Sequence, residues 1–202
     1  MVRLTKIYTR TGDGGSTRLA NNEITDKLDP RIAAYGTVDE VNSWLGLVVA
    51  TGVPQRLEPV LQLCRNELFD VGADLATPIA EAPKYPPLRV EQRSINRLES
   101  WCDEFSTDLP TLKSFILPGG SPASSQLHIA RTVTRRAERE GWAAAQQFGL
   151  DEVGGVTSRS LTYLNRFSDL LFVLARYCAP DPTLWVPGTD REKPPAEPGN
   201  SG

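Results

Sequence analysis

The stretch Leu57-Glu58-Pro59-Val60-Leu61-Gln62-Leu63-Cys64-Arg65-Asn66-Glu67-Leu68-Phe69-Asp70-Val71-Gly72-Ala73-Asp74-Leu75 decides the fold class. Leu57, Leu61, Cys64, Leu68, Val71 and Leu75 recur at alternating steps of four and three. That spacing lays a single apolar seam along a helix, as in helices packed nearly antiparallel in a bundle, and Thr77-Pro78 ends it. On its N-terminal side, Ala34, Val38, Val41, Leu45 and Val48 predict a helix over residues 31–50, opened by Asp29-Pro30. On its C-terminal side, Ile95, Leu98, Cys102 and Phe105 predict a shorter helix between the proline-rich loop at 83–87 and Pro110. Ser121-Pro122, a hydroxyl cap before a proline, leads into a helix over 123–148. A last helix follows Gly154-Gly155, with its stripe at Leu161, Leu164, Leu171, Leu174, Ala175 and Cys178, and Pro180 stops it. The expected fold is therefore all-α, a five-helix bundle preceded by an extended Gly-rich N-terminal arm. Residues 1–186 read as one domain. Residues 187–202, rich in proline, glycine and charge, cannot bury apolar area and read as a disordered tail.

Composition narrows the function. The 202 residues suffice for one substantial core, and no apolar run approaches the roughly 20 residues that span a bilayer. Residues 1–6 carry charge with no apolar stretch behind them, so no secretory leader is expected and the cytoplasm is the expected compartment. A net charge of −3, from 22 basic and 25 acidic residues, gives no general attraction to nucleic acid, and any polyanion must be bound locally. Cys64, Cys102 and Cys178 lack CxxC spacing and fall on apolar helical stripes, as reduced core residues do. His128 is the only histidine. Histidine metal centres, the Glu-x-x-His pairs of di-iron bundles and Ser-His-Asp catalysis are thus unsupported. Packing or hydrogen bonding is the role left to it.

Two places are organised without being helical. Around Gly12-Asp13-Gly14-Gly15, the hydroxyls of Thr9, Thr11, Ser16 and Thr17 crowd with the cations Lys6, Arg10 and Arg18. Such a loop can be a phosphate nest or a Gly-rich surface turn, and it has neither Walker A nor GxGxxG spacing. The second place is Phe115-Ile116-Leu117-Pro118-Gly119-Gly120, an apolar segment breaking into a turn. On the fourth helix Arg131, Arg135 and Glu138 share a stripe extended by Ser124 and His128. It reads either as a solvated face of ion pairs or as an anion site near a helix start. Tyr35, Asp39, Asn42 and Gly46 form a further polar stripe, and Asn165, Asp169, Phe172 and Arg176 another. Each is an exposed rim, or a place where a carboxylate such as Asp39 meets an arginine of another subunit.

In order along the chain stand Ile7-Tyr8-Thr9-Arg10-Thr11-Gly12-Asp13, Ala34-Tyr35-Gly36-Thr37-Val38-Asp39-Glu40-Val41-Asn42-Ser43, Phe115 to Gly120, Arg131 to Arg139 with its Arg135-Arg136-Ala137-Glu138-Arg139, and Leu164-Asn165-Arg166-Phe167-Ser168-Asp169. Together they resemble the PduO-type ATP:cob(I)alamin adenosyltransferases over roughly residues 3–180. The resemblance implies a homotrimer of five-helix bundles with active sites between subunits. It implies that ATP is held by Thr9, Arg10, Thr11, Gly12, Thr17, Arg18 and Lys27 of the arm and by Arg135, Arg136, Glu138 and Asn165 of the bundle. It also implies that Asp39 pairs with Arg131 across the subunit boundary and that Phe115 approaches the lower face of cobalamin. Gly14, where a lysine often stands, and Phe167, in place of a common leucine, depart from the pattern.

The implied reaction is attack of cob(I)alamin on the ribose 5′-carbon of ATP, which releases triphosphate and forms adenosylcobalamin. Mg²⁺, held mainly by the phosphates with Glu138 as a further ligand, would neutralise the leaving group with Arg10, Lys27 and Arg135. A reductase and an adenosylcobalamin-dependent mutase are the implied partners. Two other readings fit the same residues. One is a non-catalytic carrier of ATP and corrinoid delivering adenosylcobalamin to a mutase, and the other is an ATP-sensing helical regulator.

Overall fold

Asp29 starts the bundle. Its carboxylate accepts the backbone N–H of Arg31 at 2.8 Å, and Pro30 occupies the first turn, where a missing N–H costs nothing. In the computed structural model, which describes residue 8 and residues 10–191, α1 then runs over Pro30–Thr51. After a 3-10 turn at Gln55–Leu57 come α2 (Glu58–Leu75), α3 (Gln92–Ser106), α4 (Pro122–Phe148) and α5 (Ser158–Tyr177). The four-three seam of α2 is the core: Leu57, Leu61, Cys64, Leu68, Val71 and Leu75 are all buried. Truncating one of its leucines to alanine costs about 2–5 kcal/mol. One flank of α1 packs along α4 and the other on α2; α5 packs between α4 and α3.

Buried polar groups tie the long connection at 76–91 to this core. Asp74 accepts from the Val90 backbone N–H at 2.8 Å, from Thr157 Oγ1 at 3.0 Å and from Arg89 Nη1 at 2.6 Å. Glu67, on the inner face of α2, pairs with Arg97 of α3 and accepts the Tyr163 hydroxyl of α5 at 3.0 Å. Three helices thus meet on one carboxylate. Phe167 is fully buried and stacks on Tyr163 with centroids 5.9 Å apart, so the phenylalanine that stands in place of a common leucine is a packing residue. At Gly141 of α4 a Cβ would collide with Leu161 Cδ2, so the leucine of α5 fills the space that the glycine leaves.

The structure extends the sequence reading in three places. Within the described arm β1 (Ser16–Arg18) pairs antiparallel with β2 (Ile24–Asp26), with Thr17 opposite Thr25, a hairpin that follows the lead at 6–11, part of which lies outside the described residues. Residues 183–186, past the last helix, return to the 115–117 segment through an Ile116–Leu184 bridge. The described beginning of the expected tail contains a 3-10 turn at Gly188–Asp190, and its remainder lies outside the described residues. All three cysteines are free. Cys64 is a core residue, whereas Cys102 and Cys178 are half-buried against the core; burial raises the thiols of Cys102 and Cys178 to about 11 and pushes Cys64 higher still, which keeps all three inert.

Candidate active site

The hairpin assembles the arm's polar groups. Arg10 (φ 62°) and Gly15 (φ 86°) take the left-handed backbone conformation that the turn needs, and the Gly15 N–H reaches the Gly12 carbonyl at 3.3 Å. The Lys27 N–H donates to the Gly15 carbonyl at 2.8 Å. Its ammonium lies so close over Gly12 that a Cβ there would stand 3.2 Å from Nζ. Gly12 and Lys27 are therefore neighbours, and Thr17 and Arg18 continue the same strand. Arg18 Nη1 closes the hairpin turn on the Asn22 carbonyl at 2.8 Å. The Arg10 guanidinium lies 5.5 Å from the centroid of the Tyr8 ring. Buried Leu19 and an Ala20 N–H bond to the Ala76 carbonyl at 3.0 Å dock the hairpin on the end of α2. Thr11 is exposed, and Thr9 lies outside the described residues.

Along the middle of the bundle, Glu138 of α4 accepts from Asn165 Nδ2 of α5 at 3.2 Å. Asn165 Oδ1 accepts from Arg166 at 2.7 Å, and Arg166 in turn donates to Glu99 at 2.7 Å. Arg136 is paired with Glu40 of α1. Arg135 is exposed and, among the described residues, its guanidinium has no side-chain partner. It is thus a cation of this stripe available to an anion. Among the described residues no three or more His, Cys, Asp or Glu side chains gather to hold a metal. Glu138 is the carboxylate of this stripe, an oxygen donor of the kind Mg²⁺ takes, and it accepts from Asn165.

The third group surrounds Phe115. Gly120 turns the chain at φ 93°, so close to the Ala179 Cβ that a side chain at 120 would come within 2.5 Å of it. Ser121 caps α4 by accepting the Ser124 N–H at 3.1 Å, and Ser124 Oγ donates to the Gly119 carbonyl at 2.7 Å. Held in this way, residues 115–117 pair with the 183–185 segment. The Trp185 N–H donates to the Phe115 carbonyl at 2.7 Å, and the Leu117 N–H to the Thr183 carbonyl at 2.9 Å. The two segments and α4 and α5 enclose a cavity of about 660 Å³, mostly apolar, lined by Phe115, Ile116, His128, Arg131, Phe172 and Trp185 among others. Phe115, at the rim of this cavity, is 79% exposed. Burial, reinforced by the charge of Arg135, lowers the basicity of Arg131, and its buried Nε has no hydrogen-bond partner.

Asp39 is elsewhere. It is exposed in a groove of about 480 Å³ between α1 and α2, beside Tyr35, Asn42, Leu68 and Phe69. Within one chain it makes no ion pair with Arg131. The polar stripe of α1 and the Phe115 cavity therefore open on different helix pairs.

Residues 7–178 match the family described as cobalamin adenosyltransferase. The chain belongs to that family. It is 53% identical over 192 residues to the corrinoid adenosyltransferase of Mycobacterium bovis, covering 94% of this chain and 97% of the relative. It is 43% identical over 175 residues to that of Bacillus subtilis, covering 85% of each. Among solved structures it resembles a variant PduO-type ATP:corrinoid adenosyltransferase from Lactobacillus reuteri complexed with cobalamin and ATP. The TM-score is 0.81 at 38% identity, over 89% of this chain and 96% of that one. Within this cobalamin adenosyltransferase, sequence reasoning missed Trp185 and the lining role of Phe172. Trp185 follows the last helix in an irregular segment with no periodicity to reveal its pairing, and Phe172 was legible only as a member of a polar stripe on α5.

Proposed function

We propose that this chain transfers the 5′-deoxyadenosyl group of ATP to cob(I)alamin, releasing triphosphate, at sites completed between the subunits of a homotrimer. The observation that carries this reading is the division of its polar groups. Gly12, Thr17, Arg18 and Lys27 sit on the hairpin docked at the end of α2, and Asp39 lines the α1–α2 groove. Phe115 and Arg131 line the cavity on α4 and α5. Two half-sites on different faces of one chain become a whole site when a second copy brings its Asp39 to Arg131, a charge-assisted contact that satisfies the unpartnered arginine.

The reaction needs little from the protein beyond position and charge. Cob(I)alamin is itself the nucleophile, so no general base is required. Its cobalt forms a bond to the ribose 5′-carbon, and the C–O bond to triphosphate breaks. Arg10, Lys27 and Arg135 offset the growing negative charge, with Mg²⁺ supplied on the phosphates. Arg136, Glu138 and Asn165 orient the nucleotide. Phe115 and the apolar wall exclude water and a lower axial ligand from cobalt, which makes four-coordinate cob(II)alamin easier to reduce. The electron comes from a reductase, the product serves an adenosylcobalamin-dependent mutase, and the reaction runs in the cytoplasm. No helix of the described chain is long and apolar enough to cross a membrane.

Purified protein mixed with ATP, Mg²⁺ and chemically reduced cobalamin should yield the light-sensitive adenosyl product. Asp39→Asn and Arg131→Ala should each be nearly inactive alone. Mixed and reassembled together they should regain activity, because some interfaces then carry two intact partners. Product from wild type with no recovery in the mixture would rule out the shared site, and no product from wild type would rule out the transferase reading.

A further inference from the structure

His128 has an unusual environment for a packing residue. It is 3% exposed, lies one turn before Arg131 on α4 and lines the 660 Å³ cavity. Its Nδ1 is buried and has no hydrogen-bond partner among the described residues. The aromatic neighbour of its ring is Phe172, edge-on with centroids 6.1 Å apart, which offers the nitrogens nothing. A phenylalanine or leucine would fill this wall without a buried polar atom. Protein interiors rarely leave such an atom unpaired, because doing so forfeits its bond to water.

We infer that His128 hydrogen-bonds a carboxamide side chain at the edge of the corrinoid and so acts as a specificity residue of the cavity, an inference that rests on the cavity's assignment to the corrinoid. A corrin ring has broad apolar faces bordered by acetamide and propionamide chains. The apolar wall suits the faces, and a neutral imidazole suits one of the chains. One ring nitrogen donates and the other accepts, and a carboxamide offers both complements. Burial and the neighbouring Arg131 charge both disfavour the imidazolium, so the ring meets a neutral partner. Arg131, whose Nε is likewise buried and unpaired, is the group for an anionic one.

The test uses His128→Phe, which keeps the ring and removes both nitrogens, and His128→Asn, which restores a donor and an acceptor. Binding of cob(II)alamin and of its monocarboxylate derivatives, each with one amide changed to an acid, is titrated for wild type and both variants with ATP present. Wild type should bind one monocarboxylate at least about tenfold more weakly than the others, the scale of one lost hydrogen bond. His128→Phe should bind cobalamin about tenfold more weakly and lose that discrimination while its affinity for ATP changes little, and His128→Asn should recover part of both losses. A His128→Phe variant that keeps wild-type affinity and ranking overturns the inference. So does a nitrogen signal on cobalt, in the paramagnetic spectrum of wild type, that the variant loses, since His128 would then be a metal ligand. Should both variants unfold, the wild-type ranking decides: equal binding of every monocarboxylate overturns the inference, and a selective loss supports it. Wild type binding no cob(II)alamin at all overturns the cavity's assignment itself, whereas normal wild-type binding with unresponsive variants overturns only the role of His128.

Discussion

The ring of Trp185 stands edge-on to that of Phe115, with centroids 6.1 Å apart and planes at 72°. The residue expected to face cobalt is therefore steadied by the segment after the last helix. Such a pair contributes about 0.5–1.5 kcal/mol beyond its area. Trp185→Ala should lower the fraction of four-coordinate cob(II)alamin formed with ATP, to a value between wild type and Phe115→Ala, with ATP affinity unchanged. The absorption and paramagnetic spectra of the bound corrinoid report this fraction. A wild-type fraction would mean that the backbone bonds at 115 and 117 suffice to hold Phe115.

Arg135→Ala should reduce turnover by about two to three orders of magnitude, the usual loss on removing one group that stabilises transition-state charge. The side chain is exposed and unpartnered, and alanine favours a helix, so the melting temperature should hold. Near-normal adenosylation by a folded Arg135→Ala protein would take Arg135 out of the mechanism.

Arg136 calls for a comparison, because its guanidinium already has a partner. The pair with Glu40 is more than 40% exposed on both sides, so breaking it should cost less than about 1 kcal/mol. If Arg136 also holds ATP, Arg136→Ala should raise KM for ATP several-fold, whereas Glu40→Gln should leave it near wild type. Equal effects of the two variants would reduce Arg136 to a helix-pairing residue.

Glu67 tests the frame and leaves the site aside. It is 6% exposed and answers both Arg97 and the Tyr163 hydroxyl. Glu67→Ala strands a partly buried guanidinium and should cost about 3–5 kcal/mol in urea unfolding. Replacing Glu67 and Arg97 together by methionine should recover most of that loss. If the single variant proved as stable as the double, the pair would carry no structural weight.

Acid should weaken the fold partly through His128. Burial first, and the Arg131 charge second, hold its native pKa below the ordinary 6.5, so the unfolded chain binds this proton more tightly than the native one. Its contribution is complete above about pH 6.5 and is lost as pH falls from there toward the native value. His128→Phe should flatten that limb of the stability profile in chemical denaturation, and an unchanged slope would mean that the ring is already protonated in the native state.

The helices were legible because burial imposes a period on them. The seam from Leu57 to Leu75 and the stripe from Ala34 to Val48 proved to be core residue by residue, and Ser121 and Asp29 cap the helices they precede. The hairpin was not legible: its strands have three residues each, too few to show alternation, and it is fixed by a long-range bond to Ala76. Phe115, Arg131, Arg135, Glu138 and Asn165 could be named from motifs. That Phe115 and Arg131 share a cavity while Asp39 opens elsewhere depends on which helices neighbour one another, and a periodicity says nothing of that. Glu40, the partner of Arg136, was hidden for the same reason, since 96 residues separate the two.

Gly141 bears on the cavity from a distance. The missing side chain lets α4 settle against Leu161, near the start of α5, and from there the two antiparallel helices run on to His128 and Phe172. Thirteen residues of α4 separate Gly141 from His128, a lever arm of about 20 Å. A methyl group added at 141 would meet the tip of the buried Leu161 side chain, and to the extent that this leucine cannot turn aside the methyl becomes a shim at the fulcrum, felt as a changed aperture at the far end, where no atom had been altered.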